Sequence, residues 1–346
     1  MKLGAYTACL HHQPLPEALS ILRDLGLESA EINSGGFIPE PHLPVADILA
    51  SEQARQDYLG IFTEHGITLT ALNCNGNPLH PHPVVGDKHS ADILRSIELA
   101  ALLGVGRVVT MSGTPAASAT GTSPAWNVLP WNSAYLDVRD YQWNEVAIPF
   151  WKRVQQRAAE YDVKVAIEMH PHNVVYNPAT LERLVDAIDA TRVGAELDPS
   201  HLFWQGIDPV DAVNHLGGLV YNAAAKDTRI NPEARVHGVL DDRFGRVHPD
   251  EPGAVSLGGP DMLSRWPTSA AWDFVAVGRG HDVAWWRSFL RALEKVDPDM
   301  AVNIEHEDQE LGQLEGLSWA AETLLAAAGV STHLPPDPEG ETPHGS

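Results

Sequence analysis

Three acidic residues close short apolar runs that read as β-strands: Glu168 in "AIEMHPHN", Asp198 in "ELDPSH" and Glu305 in "NIEHED". One carboxylate at a strand end is usually a capping or surface residue. Three at the ends of neighbouring parallel strands would converge, and like charges that close cannot all stay ionised unaided. A shared divalent cation resolves the repulsion. All-oxygen ligation favours Mn²⁺ or Mg²⁺, with Co²⁺ as a further candidate. The sequence therefore nominates Glu168, Asp198 and Glu305 as metal ligands.

Other groups could complete such a site. His170 lies two residues after Glu168 and shares its face if the strand continues. "GNPLHPHP" places Asn77, His80 and His82 on a loop, and "GRGHD" places His281 before a helix. For each of these a structural role weighs as heavily as a functional one. Lys226 could polarise a substrate oxygen or simply pair with a neighbouring carboxylate.

The elements that must position these residues alternate between short apolar runs and amphipathic stretches. Strands are expected at 3–8, 29–32, 67–73, 107–111, 163–169, 193–198, 218–225 and 301–306. Helical patterns follow them, for example "PEALSILRDLG", "HSADILRSIELAALLG" closing on Gly104, "NEVAIPFWKRVQQRAAEYD" with an early turn or kink at Pro149, and "TLERLVDAIDA". Eight strand–helix units predict a (β/α)₈ TIM barrel spanning 1–330 as a single domain. An open doubly wound sheet would show a glycine-rich phosphate turn after its first strand, and "YTACLHHQPLP" has none. The proline-rich tail 331–346 is expected to be disordered.

Two loops are long, from about Ser112 to Trp143 after strand four and from about Lys226 to His281 after strand seven. In a barrel both lie on the C-terminal face, where active sites are built. They carry Trp126, Trp131, Trp143, Trp266 and Trp272, and Trp204 follows strand six. Indole faces suit the C–H faces of a sugar, but they equally serve to pack loops together.

The formal charge of −23 argues against nucleic acid as a partner, and no basic patch offsets it. Two cysteines, Cys9 and Cys74, are too few for a disulfide framework. With neither a signal peptide nor a membrane-spanning run expected, the chain reads as cytoplasmic. A homo-oligomer or a partner subunit stays open.

The pieces "IEMH", "LDPSHLFWQGID", "AAAKDT", "VGRGHD" and "NIEHED" together resemble the xylose isomerase-like TIM-barrel superfamily, which includes sugar phosphate isomerases and epimerases. The resemblance covers roughly residues 2–328. It implies a metal held by Glu, Asp, His and Glu, three of which carry over as Glu168, Asp198 and Glu305. It also implies that His201 touches substrate oxygen. Relatives end strand seven with His-x-His-x-Lys-Asp, whereas this chain reads "NAAAKD", with Asn222 and Ala224 at the histidine positions. A missing ligand is thus expected, to be replaced by water, Asn222, Asp227 or a loop histidine.

What the resemblance implies chemically is proton transfer next to the carbonyl of a keto-sugar, with Glu168 and Glu305 removing and returning the proton around a metal-stabilised enediolate. His201, His170, Lys226, Asn77, His80, Trp204 and His281 are the expected substrate contacts. Two rivals stand beside this reading. One is a lyase cleaving an oxidised (3-keto) glycoside by elimination. The other is a non-catalytic sugar-binding barrel or subunit, which the alanine at position 224 would favour.

Overall fold

In the computed structural model, residues 1–330 are described, so the expected disordered tail at 331–346 lies outside them. Eight parallel strands close a barrel: β1 (Lys2–Tyr6), β2 (Ser29–Asn33), β3 (Thr68–Asn73), β4 (Arg107–Met111), β5 (Lys164–Glu168), β6 (Val193–Leu197), β7 (Val220–Ala225) and β8 (Ala301–Ile304). Closure runs through β1 against β8, with Leu3 opposite Val302 and Ala5 opposite Ile304. All eight expected strands are present, each within two residues of its expected bounds at either end. The (β/α)₈ barrel is the fold.

The strand ends matter for the site. The fifth strand stops at Glu168, whereas β6 and β8 each stop one residue before their carboxylate. Asp198 and Glu305 therefore occupy the first turn of loop beyond the barrel, and Glu305 still donates its backbone N–H to Ala225 O at 3.1 Å.

Helices sheathe the barrel as the periodicity predicts. The helix Pro83–Leu103 begins on its proline and ends on Gly104 in the left-handed region at φ 68°. Pro149 does lie beside an irregularity in backbone winding: a π-helical stretch, Tyr141–Ala147, runs into the α-helix Ile148–Tyr161, whose second residue is Pro149. Leu19, Leu22, Ile93, Ile97, Trp151, Trp286 and Phe289 fill the space between sheath and barrel and are fully buried.

The two long loops are less irregular than expected. The first contains the helix Ser133–Asp140. The second forms an antiparallel pair, Asp227–Ile230 with Trp272–Val275, and a short hairpin, Ser256–Gly258 with Asp261–Met262. Among the described residues, no helix is long and apolar enough to cross a membrane.

Candidate active site

Inside the barrel, alternate residues of each strand face one another in layers. The upper layer, at the C-terminal ends, brings the nominated carboxylates together. Glu168, Asp198 and Glu305 each offer an oxygen, and these oxygens lie within 4.8 Å of one another. A second set overlaps the first: donor atoms of Glu168, His170 and His201 meet within the same 4.8 Å.

Glu168 sits at the centre. Its Oε2 accepts from Asn75 Nδ2 at 2.7 Å and its Oε1 faces His201 Nε2 at 3.1 Å. His201 Nε2 is also 3.3 Å from Asp198 Oδ2. Burial works against the Glu168 charge, yet the hydrogen bond from His201 and the nearby basic groups hold its carboxyl below the usual range. Burial also pushes His201 down to about 3, so its imidazole is neutral at pH 7. It then carries one ring proton, and donation to Glu168 leaves its Nδ1 as a lone pair. That nitrogen is buried and unpartnered.

Asp198 accepts from Ser200 N at 2.8 Å through Oδ1, while Oδ2 is buried without a hydrogen bond. Burial raises its carboxyl to about 7; Lys226 pulls it down and Glu168 pushes it up. Burial likewise lifts Glu305 well above the ordinary carboxylate range, against the pull of the Lys226 ammonium 3.6 Å away. An unpartnered carboxylate oxygen, a free imidazole nitrogen and carboxylates strained by mutual repulsion form a donor set that fits a divalent cation.

His170 converges with Glu168 and His201 in the second donor set. Its Nδ1 lies 2.6 Å from Pro171 O, and a carbonyl only accepts, so Nδ1 carries a proton and Nε2 is the ring nitrogen turned from that contact. Its ring centroid is 4.1 Å from that of His201. The other candidates are otherwise engaged. Asn222 points into the barrel one layer deeper, donating to Glu31 Oε2 at 3.2 Å and Glu196 Oε1 at 2.9 Å. Asp227 accepts from Gly278 N, Gly280 N and His281 N at 3.0–3.1 Å and from His281 Nδ1 at 2.7 Å. It ties the second long loop to the barrel.

Lys226 is buried beside the carboxylates. Its Nζ contacts Glu307 Oε1 at 2.9 Å and lies 4.5 Å from the ring centre of Phe274. Burial opposes its charge, but Glu305 and Glu307 outweigh it and the ammonium is held well above its usual range. Phe274 also meets His201 edge-on at 5.5 Å, so it walls one side of the cluster.

The remaining expected substrate contacts lie elsewhere or serve the loops. His281 is held by Asp227 and stacked on Phe203 at 3.7 Å. Asn77 accepts from Leu79 N and Thr114 N and donates to Thr114 O, stitching two loops. His80 Nε2 reaches Asp261 Oδ2 at 2.8 Å, joining the loop after β3 to the hairpin of the second long loop. Trp204 stacks on Trp272 at 5.2 Å, and Trp266 and Phe274 pack on Trp272 in turn. The tryptophans of this loop bind one another, the packing alternative weighed from the sequence.

Five participants carried weaker signals. Asn75 is one face-period beyond Asn73 in "LNCNGN", so alternation alone points it at the mouth. The backbone leaves little room there: a Cβ on Gly36, at φ 84°, would fall 2.0 Å from Asn75 O. Glu196, two residues before Asp198, faces the same interior one layer down, and Glu31 meets it from β2. Glu31 accepts from Asn73, Asn303 and Asn222. Phe274 comes from the antiparallel pair of the second long loop and Glu307 from the turn beyond β8, and no periodicity marks either.

A family model described as xylose isomerase-like TIM barrel matches residues 19–323 of this chain. A protein of Bacillus subtilis (strain 168), called uncharacterized protein YfiH, is 35% identical over 328 residues, covering 94% of this chain and 98% of that one. Among solved structures, the probable 3-DHS dehydratase AsbF from Bacillus anthracis aligns with a TM-score of 0.58 at 14% identity, over 94% of this chain and 98% of that one. The 3-keto-D-glucoside 4-epimerase YcjR from E. coli aligns with a TM-score of 0.55 at 13% identity, over 95% and 99%. At these identities the two structures share the fold.

Proposed function

Because the chain belongs to the xylose isomerase-like TIM barrel family, we propose that it is an isomerase or epimerase of a keto-sugar or sugar derivative, working with a divalent cation. The observation that supports this reading is the convergence of Glu168, Asp198 and Glu305, with His170 and His201, within the barrel mouth. In this reading Glu168, Asp198, Glu305 and His170 hold the cation. When bound, Mn²⁺, Mg²⁺ or Co²⁺ supplies a Lewis acid for the substrate carbonyl and offsets the clustered negative charge.

The chain's own groups do the rest. Glu168 and Glu305 approach from β5 and β8, so one removes the proton beside the carbonyl and the other returns it. Return to the opposite face of the same carbon gives an epimer, and return to the neighbouring carbon gives an aldose–ketose isomer. The Lys226 ammonium places positive charge where oxygen becomes negative. Neutral His201 donates from Nε2 to orient Glu168, and its Nδ1 lone pair is left to accept from a substrate hydroxyl. Phe274 keeps water from the cluster.

The test combines metal content with isotope exchange. Protein purified without a chelating column is assayed for metal, then incubated with a panel of keto-sugars and oxidised glycosides in D₂O. About one divalent ion per chain and deuterium at a single carbon with no product fragment supports the reading, with both lost in Glu168→Gln and Glu305→Gln. Release of a leaving group with an enone chromophore would move the function to the lyase. No metal uptake and no exchange with any substrate would favour the binding-protein reading.

A further inference from the structure

The first long loop closes over a cavity that the barrel-mouth chemistry does not use. It measures about 180 Å³ and is walled by Trp126, Trp143 and Tyr176, with Arg139, Arg183 and Gln142 among its lining residues. We propose that this cavity is a second binding site, for a small organic anion whose carboxylate or phosphate meets Arg183 and whose ring lies against the tryptophans.

Its walls are fixed before any ligand arrives. Trp126 donates its indole N–H to Asn173 O at 3.0 Å and meets His172 and Tyr176 edge-on at 4.9 and 5.5 Å. Gln142 is buried, and its Nε2 donates to Ala125 O at 2.6 Å and to the carbonyls of Pro115 and Ala116 at 3.2 Å. Two ends of the loop are thereby pinned around the cavity. Such preorganisation lowers the ordering cost of binding.

The charge balance identifies the ligand class. Arg139 is paired with Asp140 at 2.7 Å, but Arg183 enters no ion pair or side-chain hydrogen bond among the described residues. Its guanidinium lies 4.2 Å from the ring centre of Trp143. Stacking on an aromatic face leaves the edge of the fork, with its N–H donors, free for a planar anion. The half-buried guanidinium is further disfavoured by Arg139 beside it. In a chain of formal charge −23, a cavity holding a cation with no direct ion-pair partner among the described residues is a local exception, although the Asp140 carboxylate favours its charge from a distance. An anion relieves both the desolvation and the repulsion.

The segment 169–177 separates this site from the cluster at the mouth: His170 faces one, Asn173 and Tyr176 the other. The two sites are distinct and their ligands should bind independently.

Isothermal titration of the full chain with benzoate, phenyl phosphate and inorganic phosphate tests the proposal. Saturable binding of benzoate or phenyl phosphate is expected, weakened at least ~10-fold in Arg183→Gln and unchanged in Glu168→Gln. Whichever of the two binds more tightly identifies the head group. No saturable binding of either by about 10 mM would overturn the proposal, as would binding unaffected by Arg183→Gln or lost in Glu168→Gln. Equal affinity for phenyl phosphate and inorganic phosphate would overturn the role given to the aromatic walls. If Arg183→Gln fails to fold, Arg139→Gln, on the same cavity, should weaken binding while leaving the circular dichroism unchanged; unaltered binding there would count against the site.

Discussion

His201 Nε2 stands 3.1 Å from Glu168 Oε1, and each side chain is only 1% exposed. The imidazole is neutral, so this is a donor holding a carboxylate in place. His201→Ala is expected to lower kcat/KM about 100-fold on whichever keto-sugar supports turnover. His201→Gln, which keeps a donor at a similar reach, should recover part of that loss. Equal activity of the alanine variant and the wild type would remove His201 from the site.

Asn75 offers a test at one remove. It donates to Glu168 Oε2 at 2.7 Å without belonging to either group of converging metal donors. Groups that orient a ligand typically contribute 10–100-fold to metal affinity. Asn75→Ala should therefore weaken Mn²⁺ binding by about that factor, measured by titration calorimetry, with the thermal unfolding of the metal-free protein little changed.

Asp227 carries a different prediction. Its carboxylate is fully buried and accepts from four backbone N–H groups, those of Thr228, Gly278, Gly280 and His281, and from the His281 ring. Asp227→Ala leaves those donors without a partner and should cost about 3 kcal/mol or more, read as a lower urea midpoint. Trp204 and Trp272, at the base of the same loop, should become more accessible to fluorescence quenchers. An unchanged midpoint would mean the loop is held by its aromatic stack alone.

The hairpin of the second long loop is fastened by His80 Nε2 to Asp261 Oδ2 at 2.8 Å. His80 Nδ1 accepts from His82 N at 3.0 Å, so the single ring proton is on Nε2 and the fastening needs no positive charge. His80→Ala should speed proteolysis between residues 245 and 265, read by limited digestion of the folded protein.

Burial pushes both thiols, Cys9 and Cys74, up to about 12. A raised thiol pKa means almost no thiolate at pH 8, so neither cysteine should react with iodoacetamide in the folded protein at that pH. Both should label on denaturation. Rapid native labelling at Cys74 would show that the space behind Asn75 opens in solution.

The eight strands and the three carboxylates were legible because each is a local signal: a short apolar run, and an acid that ends it. The departure at Ala224 was equally local. The place of His170 was not, since nothing in "EMHPH" says whether the chain turns at Pro171 so that its Nδ1 is tied to a carbonyl. His281, Asn77 and His80 sit in motifs that look chemical in one dimension but spend their polar atoms on loop contacts up to 181 residues away. Phe274 and Glu307 reach the site from loops whose course only tertiary packing decides.

Below the mouth, Asn222 bridges Glu31 and Glu196, while Asn73 and Asn303 also donate to Glu31. These five residues come from β2, β3, β6, β7 and β8. Sliding any one of those strands by a single position would turn its acid or amide outward among the sheath's apolar side chains and bring an aliphatic side chain against a buried carboxylate. The layer thus works as a combination lock on assembly. Closed sheets with wrong strand offsets are penalised at several tumblers at once, and the strands so fixed include β6 and β8, which lead directly into Asp198 and Glu305.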